Sequence, residues 1–368
     1  MQIRAKREEF LDALYWSQST VERRNTMPIL ANVLVETQGN RIRLTGTDLE
    51  VGVRASLNGE IITSGSVTVD ARKLYEIVRE LSEEFIDLKR LDNDRVEIQS
   101  GKSVFKMVGL DAREFPAFVS SGEAERKDCP ALALKEMIDK TIFSISTDET
   151  RSNLNGALLH EMENNRVRMV TTDGHRLSLV QREIGPLGLA KGVIIPRKGL
   201  AELRRLLEDP AEETVSLGFT DNMVFVWKGD VEMSIRLIDG EFPDYDKVIP
   251  SDNKNKADVV QAILFRALRR VSLLSSDRFR GVRVEFTGGT IGISANNPDL
   301  GEAAEEVDVA YEGNRIVIGY NAQYLLDILN VMEQDDHVEM GLMDDESPTV
   351  VRRGGDDTLL YVVMPMRI

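Results

Sequence analysis

The chain reads three times over. The run LANVLV at 30–35 returns as LNGALL at 154–159 and as FRGVRV at 279–284, at intervals of about 125 residues. DARKL at 70–74 answers to PRKGL at 196–200, EFPAF at 114–118 answers to EFPDY at 241–245, and the chain closes on MPM at 364–366. A repeat this long is a whole domain, larger than the units of solenoids and propellers. The expectation is three domains of roughly 120 residues each, at 1–120, 129–250 and 251–368.

Each such domain is long enough to bury its own core. The 368 residues are 42% hydrophobic and 29% charged, the balance of an ordinary soluble protein. No apolar run approaches the roughly 18 to 20 residues of a membrane helix, and the N-terminus is charged where a signal peptide is apolar. A cytoplasmic location, with no membrane partner, is expected. Cys129 has no second cysteine to bridge, and His160, His175 and His337 show no metal-ligand spacing. Neither a metal site nor a cofactor is expected.

The net charge of −16 argues at first against a nucleic-acid partner, yet the charge is unevenly placed. Six arginines stand against one acid, Asp277, between 259 and 283, and Arg197, Lys198, Arg204 and Arg205 outnumber Glu202 between 195 and 206. The acids gather at 208–213, 302–308 and 333–336. Basic helices on an acidic protein can accept phosphate on one surface and repel it elsewhere, although any single basic helix also reads as an ordinary solvated face.

Apolar spacing predicts helices at 8–18, 72–81, 134–143, 198–207, 258–274 and 322–332, two per repeat. Alternating segments such as RIRLTG at 41–46, RVRMV at 166–170 and TIGIS at 290–294 predict strands between turns. The fold class is therefore α+β, with helices packed on one side of antiparallel sheet. Linkers are expected near 119–128 and 250–257, too short to act as flexible tethers.

Six strings in order, LTGTDLE at 44–50, TDGHRL at 172–177, PRKG at 196–199, DGEFPDY at 239–245, FRGVR at 279–283 and YVVMPMRI at 361–368, carry a resemblance over the whole chain. The chain resembles the bacterial DNA sliding clamps, the beta subunits of DNA polymerase III. The resemblance implies three repeated clamp domains, a head-to-tail homodimer forming a six-domain ring, helices lining the hole and sheets outside. It implies a non-catalytic processivity factor, nucleoid-associated, that encircles double-stranded DNA without sequence preference. The partners implied are the replicative polymerase catalytic subunit, the clamp loader, translesion polymerases, mismatch-repair proteins and ligase. A basic lining that meets only phosphates attracts DNA without choosing a sequence.

By this resemblance, and from charge placement, DNA contact falls to Arg24, Arg72, Arg151, Arg197 and Lys198, with Arg205, Arg266 and Arg270 as further lining residues. The chain has RSN at 151–153 where relatives commonly show aromatic residues, so Arg151 would act through charge or hydrogen bonds rather than stacking. A partner-peptide cleft is implied at Leu154, Thr172, Gly174, His175, Arg176, Leu177, Pro243, Lys247, Val248, Val362, Met364, Pro365, Met366 and Arg367. Two methionines around a proline offer adaptable apolar surface on a fixed backbone, and Gly174 would admit a peptide close to the chain. Alone, Met364 and Met366 also read as the inner face of a last strand. Lys247 replaces a common arginine, and Glu346 and Pro348 stand where the rim is usually more apolar or small. The dimer interface is implied at Ile77, Leu81, Lys102 and Phe105 on one side and at Leu273, Leu274, Glu302, Glu305 and Glu306 on the other, with Lys106 adding charge and Val104 an apolar contact. Phe105 and Leu274 by themselves would also suit ordinary core.

Two other functional classes fit the sequence less well. Asp173 and His175 could serve as acid and base, but no phosphate loop, nucleophile elbow or metal carboxylate pair accompanies them. An acidic scaffold that never meets DNA would suit the net charge but not the recurring basic helices.

Overall fold

The computed structural model describes residues 1–21, 27–122, 124–189, 191–208, 213–250, 253–276 and 280–367. Arg24, Asp277, Arg278, Phe279, Ile368 and part of the acidic run at 208–213 lie outside the described residues.

The first repeat runs β1 (Gln2–Lys6), α1 (Arg7–Ser17), β2 (Asn32–Gln38), β3 (Arg41–Thr47), β4 (Val51–Asn58), β5 (Glu60–Thr63), β6 (Ser66–Asp70), α2 (Ala71–Glu80), β7 (Phe85–Arg90), β8 (Arg95–Ser100) and β9 (Ser103–Leu110). The second runs β10 (Lys127–Pro130), α3 (Ala131–Asp139), β11 (Gly156–Glu161), β12 (Arg166–Thr172), β13 (Arg176–Glu183), β14 (Val193–Pro196), α4 (Arg197–Leu206), β15 (Thr214–Phe219), β16 (Met223–Lys228) and β17 (Val231–Arg236). The third runs β18 (Asn255–Val260), α5 (Gln261–Val271), β19 (Gly281–Thr287), β20 (Thr290–Asn297), β21 (Gly301–Asp308), β22 (Ile316–Asn321), α6 (Ala322–Asn330), β23 (His337–Leu342), β24 (Thr349–Arg353) and β25 (Leu359–Val363). Apart from β5, every repeat is one β–α–β–β–β unit used twice, a half-period that the sequence motifs do not announce.

Two predicted boundaries are corrected. Residues 258–260 form the end of strand β18 rather than the start of a helix, because Val259 is buried opposite Val338 in a strand ladder. Helix α3 ends at Asp139, and Phe143 lies in a separate short turn, Ile142–Ser144. Both linkers also shorten, since Lys127 begins β10 and Asn255 begins β18.

The helices are amphipathic in the way their sequence predicts. In α4, Leu200, Leu203 and Leu206 are buried and Arg204 is exposed, while in α5 the buried set is Leu264, Ala267, Leu268 and Val271 with Arg266, Arg269 and Arg270 exposed. Asp70 caps α2 by accepting from the Lys73 amide at 2.8 Å, and Asn321 caps α6 by accepting from the Gln323 amide at 3.0 Å. No described helix is long and apolar enough to cross a membrane.

The chain divides into two compact units, 1–132 with 198–237, and 133–197 with 238–368. The first holds a 13-stranded sheet in the order β10-β15-β16-β17-β4-β3-β2-β6-β9-β8-β7-β1-β5. The second holds an eight-stranded sheet, β14-β11-β12-β13-β25-β24-β23-β18, and a four-stranded sheet, β21-β20-β19-β22. Two seams between repeats are thus closed by strand pairing within the chain. At the first, β17 runs antiparallel to β4, with Ser234 opposite Gly52, and at the second, β25 runs antiparallel to β13, with Val362 opposite Leu177.

Candidate peptide cleft, basic helices and open strand edges

The turn between β12 and β13 is built by its own side chains. Thr172 Oγ1 accepts from the Gly174 amide at 3.1 Å and donates to the Arg176 carbonyl at 2.6 Å, while Asp173 accepts from the His175 and Arg176 amides at 2.9 and 3.0 Å. Gly174 sits at φ +89°, which is the reason for glycine there. The chain tail is laid alongside this turn. Met364 donates its amide to the His175 carbonyl at 2.9 Å, and Met366 donates to Gly319 at 2.8 Å, so the backbone runs straight on from β25.

Beneath lies an apolar cluster of Val170, Leu177, Leu179, Tyr245, Val350, Leu360 and Val362, with Leu158, Phe242 and Ile249 packed against it. Val248 and Met364, next in sequence to Ile249 and Val363, are 47% and 38% exposed. Of the residues expected at the cleft, Leu154, Leu177 and Val362 are buried, Gly174, His175, Pro243, Lys247, Val248, Met364 and Arg367 are exposed, and Thr172, Pro365 and Met366 lie between. Tyr245 is anchored by His160 Nε2 at 2.8 Å and by Arg168, which donates to its hydroxyl at 3.0 Å. Burial, helped by the Arg168 charge, pushes the His160 imidazole below its ordinary pKa, and burial raises that of the Tyr245 phenol.

Arg176 differs from the other predicted cleft residues. Its guanidinium bonds Asp173 at 3.0 Å, Asp327 at 2.6 Å and the Phe143 carbonyl at 2.6 Å, and its Cζ lies 4.5 Å from the Tyr324 ring centre. These contacts tie the 172–176 turn to helix α6 through Arg176. Asp327, Tyr324 and Phe143 carry no site signal in the sequence. No local signal marks them, because Asp327 lies 151 residues away from its partner. A hollow of about 590 Å³ opens beside Arg176 and has His175, Arg151, Arg197 and Tyr324 among its walls. It joins residues expected at the cleft to residues expected at DNA.

The remaining predicted DNA contacts separate by partner. Arg266 and Arg197 are exposed on their helices, and Arg269 and Arg204 are exposed beside them. Arg72 donates to the Val21 carbonyl at 3.3 Å, and Lys198 is held in a short ion pair by Asp48. Arg205 pairs with Glu202 at 3.2 Å, and its guanidinium lies 4.9 Å from the ring centre of Tyr15 and 5.4 Å from that of Trp16. Arg270 forms a two-pronged pair with Glu305, 2.9 Å on its Nε arm, which raises the arginine and lowers the carboxyl from their ordinary pKa values. Arg205 and Arg270 are thus structural pairs first.

The third set of residues lies on unpaired strand edges. In β9, only Gly109 and Leu110 meet β6, so residues 103–108 have one open side, and Val104, Phe105 and Val108 are 51%, 38% and 71% exposed. Ile77, Leu81, Lys102 and Phe105, as predicted together, share the walls of a groove of about 770 Å³. In the second unit β21 is the outer strand of its sheet and carries Glu302, Glu305 and Glu306, while Leu273 on the nearby turn Ser272–Leu274 is 75% exposed and Leu274 is half-buried.

Three family models match in order. They are those of the N-terminal, central and C-terminal domains of the DNA polymerase III beta subunit, at residues 1–119, 129–244 and 246–367. The chain belongs to the DNA polymerase III beta subunit family. It is 38% identical to the beta sliding clamp of Pseudomonas putida over 100% of both chains, and 39% identical to that of Proteus mirabilis over 99% of both. Among solved structures, a Caulobacter crescentus beta sliding clamp superposes with a TM-score of 0.94 at 38% identity, and a Bartonella birtlesii sliding clamp bound to griselimycin with 0.95 at 36%, each over 100% of both chains. Membership in the beta subunit family fits the three-repeat α+β architecture read above, since these relatives share it along their whole length.

Proposed function

We propose that this chain is a non-catalytic DNA polymerase processivity factor in which two copies join head to tail, close a ring around duplex DNA and tether partner proteins through the cleft. The observation that carries the ring is the missing third seam. The last strand of the first half-repeat pairs with the last strand of the next repeat's second half at β4–β17 and again at β13–β25. The same rule applied to β21 requires a β9, and the chain's own β9 belongs to its first repeat. A second copy supplies it, and two copies satisfy both edges. Carrying the register of the first seam across would set Glu302 opposite Lys106 of the other copy. The pairing would also bring Leu273 to the groove of Ile77 and Leu81.

The exposed arginines of α4 and α5 then face a polyanion held by topology, so weak phosphate contacts suffice and base readout, worth about 1–3 kcal/mol per bidentate pair, would impede sliding. Arg72, Arg151, Arg197, Lys198 and Arg266 are the lining residues of this reading, with Arg205 and Arg270 secondary. The cleft would take short segments of the replicative polymerase, the clamp loader, translesion polymerases, mismatch-repair proteins and ligase. Light scattering across a dilution series tests the closure: a species at twice the 41.3 kDa chain mass is expected. Loaded protein should stay on circular DNA and leave after linearisation, and equal release from both forms would overturn encirclement.

A further inference from the structure

The cleft has an acidic rim on the side where the tail leaves. Strand β24 enters beside the point where β25 exits, with Thr349 opposite Val363 and Val350 opposite Val362. The segment before β24 therefore emerges next to Met364 and Met366. That segment is Met343, Asp344, Asp345 and Glu346, all exposed, and Met343 extends the apolar lip with 49% of its surface open. Its shape is set locally, because Asp344 Oδ1 accepts the amides of Glu346 and Ser347 at 3.0 and 2.7 Å. Hydrogen bonding from Ser347 and then Glu346 holds the Asp344 carboxyl below its ordinary range, so the charge persists to low pH. Among the described residues, none of the three acids has an ion-pair partner.

Across the cleft, Asp244 and Asp246 flank the Tyr245 anchor. There the acids are matched, Asp244 by Lys247 at 2.8 Å and Asp246 by Arg168 at 3.6 Å. Arg367 is exposed on the tail itself. The cleft is thus apolar in its centre, balanced on one rim and uncompensated at 344–346 on the other. Three exposed acids side by side at an apolar lip give that rim a negative field, which complements a cationic occupant.

We infer that the cleft selects short extended segments whose apolar core is followed by lysine or arginine on the side of the 343–348 turn. This rests on the cleft reading above and adds the partner's charge to it. Steering by exposed charge acts over about 10 Å at 0.1 M salt, so the preference should fade as salt rises.

Fluorescence polarisation with the full-length protein tests it, using three synthetic labelled peptides that share a core of two leucines and a phenylalanine and carry three lysines, three serines or three glutamates after it. The lysine peptide should bind about tenfold tighter than the glutamate peptide at low salt. The gap should close at 0.5 M salt and in the Asp344→Asn, Asp345→Asn, Glu346→Gln variant. Equal affinities, or a gap unchanged in that variant, overturn the charge selection and leave the cleft standing. No binding of any peptide, or binding indifferent to Val248→Asp, overturns the cleft reading itself and the inference with it.

Discussion

The two closed seams share one backbone plan and differ in what they present. At the first, Gly52 opposes Ser234 and Arg54 opposes Glu232, and at the second, the equivalent pairs are Leu177 with Val362 and Leu179 with Leu360. The first face is covered by the chain's own linker. The Phe118 ring lies so close to Gly52 that a Cβ there would meet its Cε2 at 3.2 Å, and Arg54 stacks on the same ring at 4.1 Å from its centre. The equivalent of Phe118 is Tyr245, which is buried in the apolar cluster with Leu177, Leu179, Leu360 and Val362 and bonds His160 and Arg168. Strand pairing therefore builds both joints, and a linker aromatic packs on each, against polar neighbours at the first and apolar ones at the second.

The seams also differ in how their helical sides are tied, and variants can separate the two. Arg176→Ala leaves Asp173 and Asp327 without their cation and should cost about 3 kcal/mol in denaturant unfolding, with peptide binding weakened through the displaced turn. If it cost no more than a surface substitution, Arg176 would not be the tie of the second seam. Phe118→Ala should cost about 2 kcal/mol by emptying the space over Gly52, yet confer no peptide binding at the first seam, because Arg54, Ser234 and Glu232 remain polar. A gain of apolar peptide binding there would break the contrast. Arg205→Ala, which removes the stacking on Tyr15 and Trp16, the bond to the Trp16 carbonyl and the Glu202 pair, should cost about 1 kcal/mol in the same assay.

The smallest effect is a pH dependence at the far end of the second seam. Arg182 and then Lys140 hold the Glu136 carboxyl at about 2, against burial that opposes ionisation. A carboxyl depressed in this way stabilises the fold fully above its unfolded value near 4.5 and loses that contribution as the pH falls towards 2. The pair is partly solvent-exposed, so the screened contribution is about 1 kcal/mol or less. Glu136→Gln should flatten the acid limb of a stability profile between pH 4.5 and 2, and an unchanged limb would assign the acid sensitivity elsewhere.

The threefold period, the basic helices and the TDGHRL turn were legible in sequence because each is carried by contiguous residues. The half-period was not, since α1 and α2 share burial spacing without sharing a motif. Nor were the fates of Arg205, Arg270 and Arg176. A string shows an arginine as a charge, but whether that charge is free depends on Trp16, Glu305 or Asp327, which the fold brings from 189, 35 and 151 positions away. The different surroundings of the two linker rings were equally hidden, because Phe118 and Tyr245 occupy matching places in EFPAF and EFPDY.

The sheets pass through the central repeat rather than around it. Its strands β10 and β15–β17 belong to the sheet of the first repeat, and β11–β14 to a sheet of the third. Counted by sequence there are three modules, but amide exchange should report two protected blocks, with the break falling within the middle module. A fragment cut at the repeat boundaries would expose raw strand edges on its own β4 or β13, so single modules should prove harder to isolate than the chain's tidy periodicity suggests.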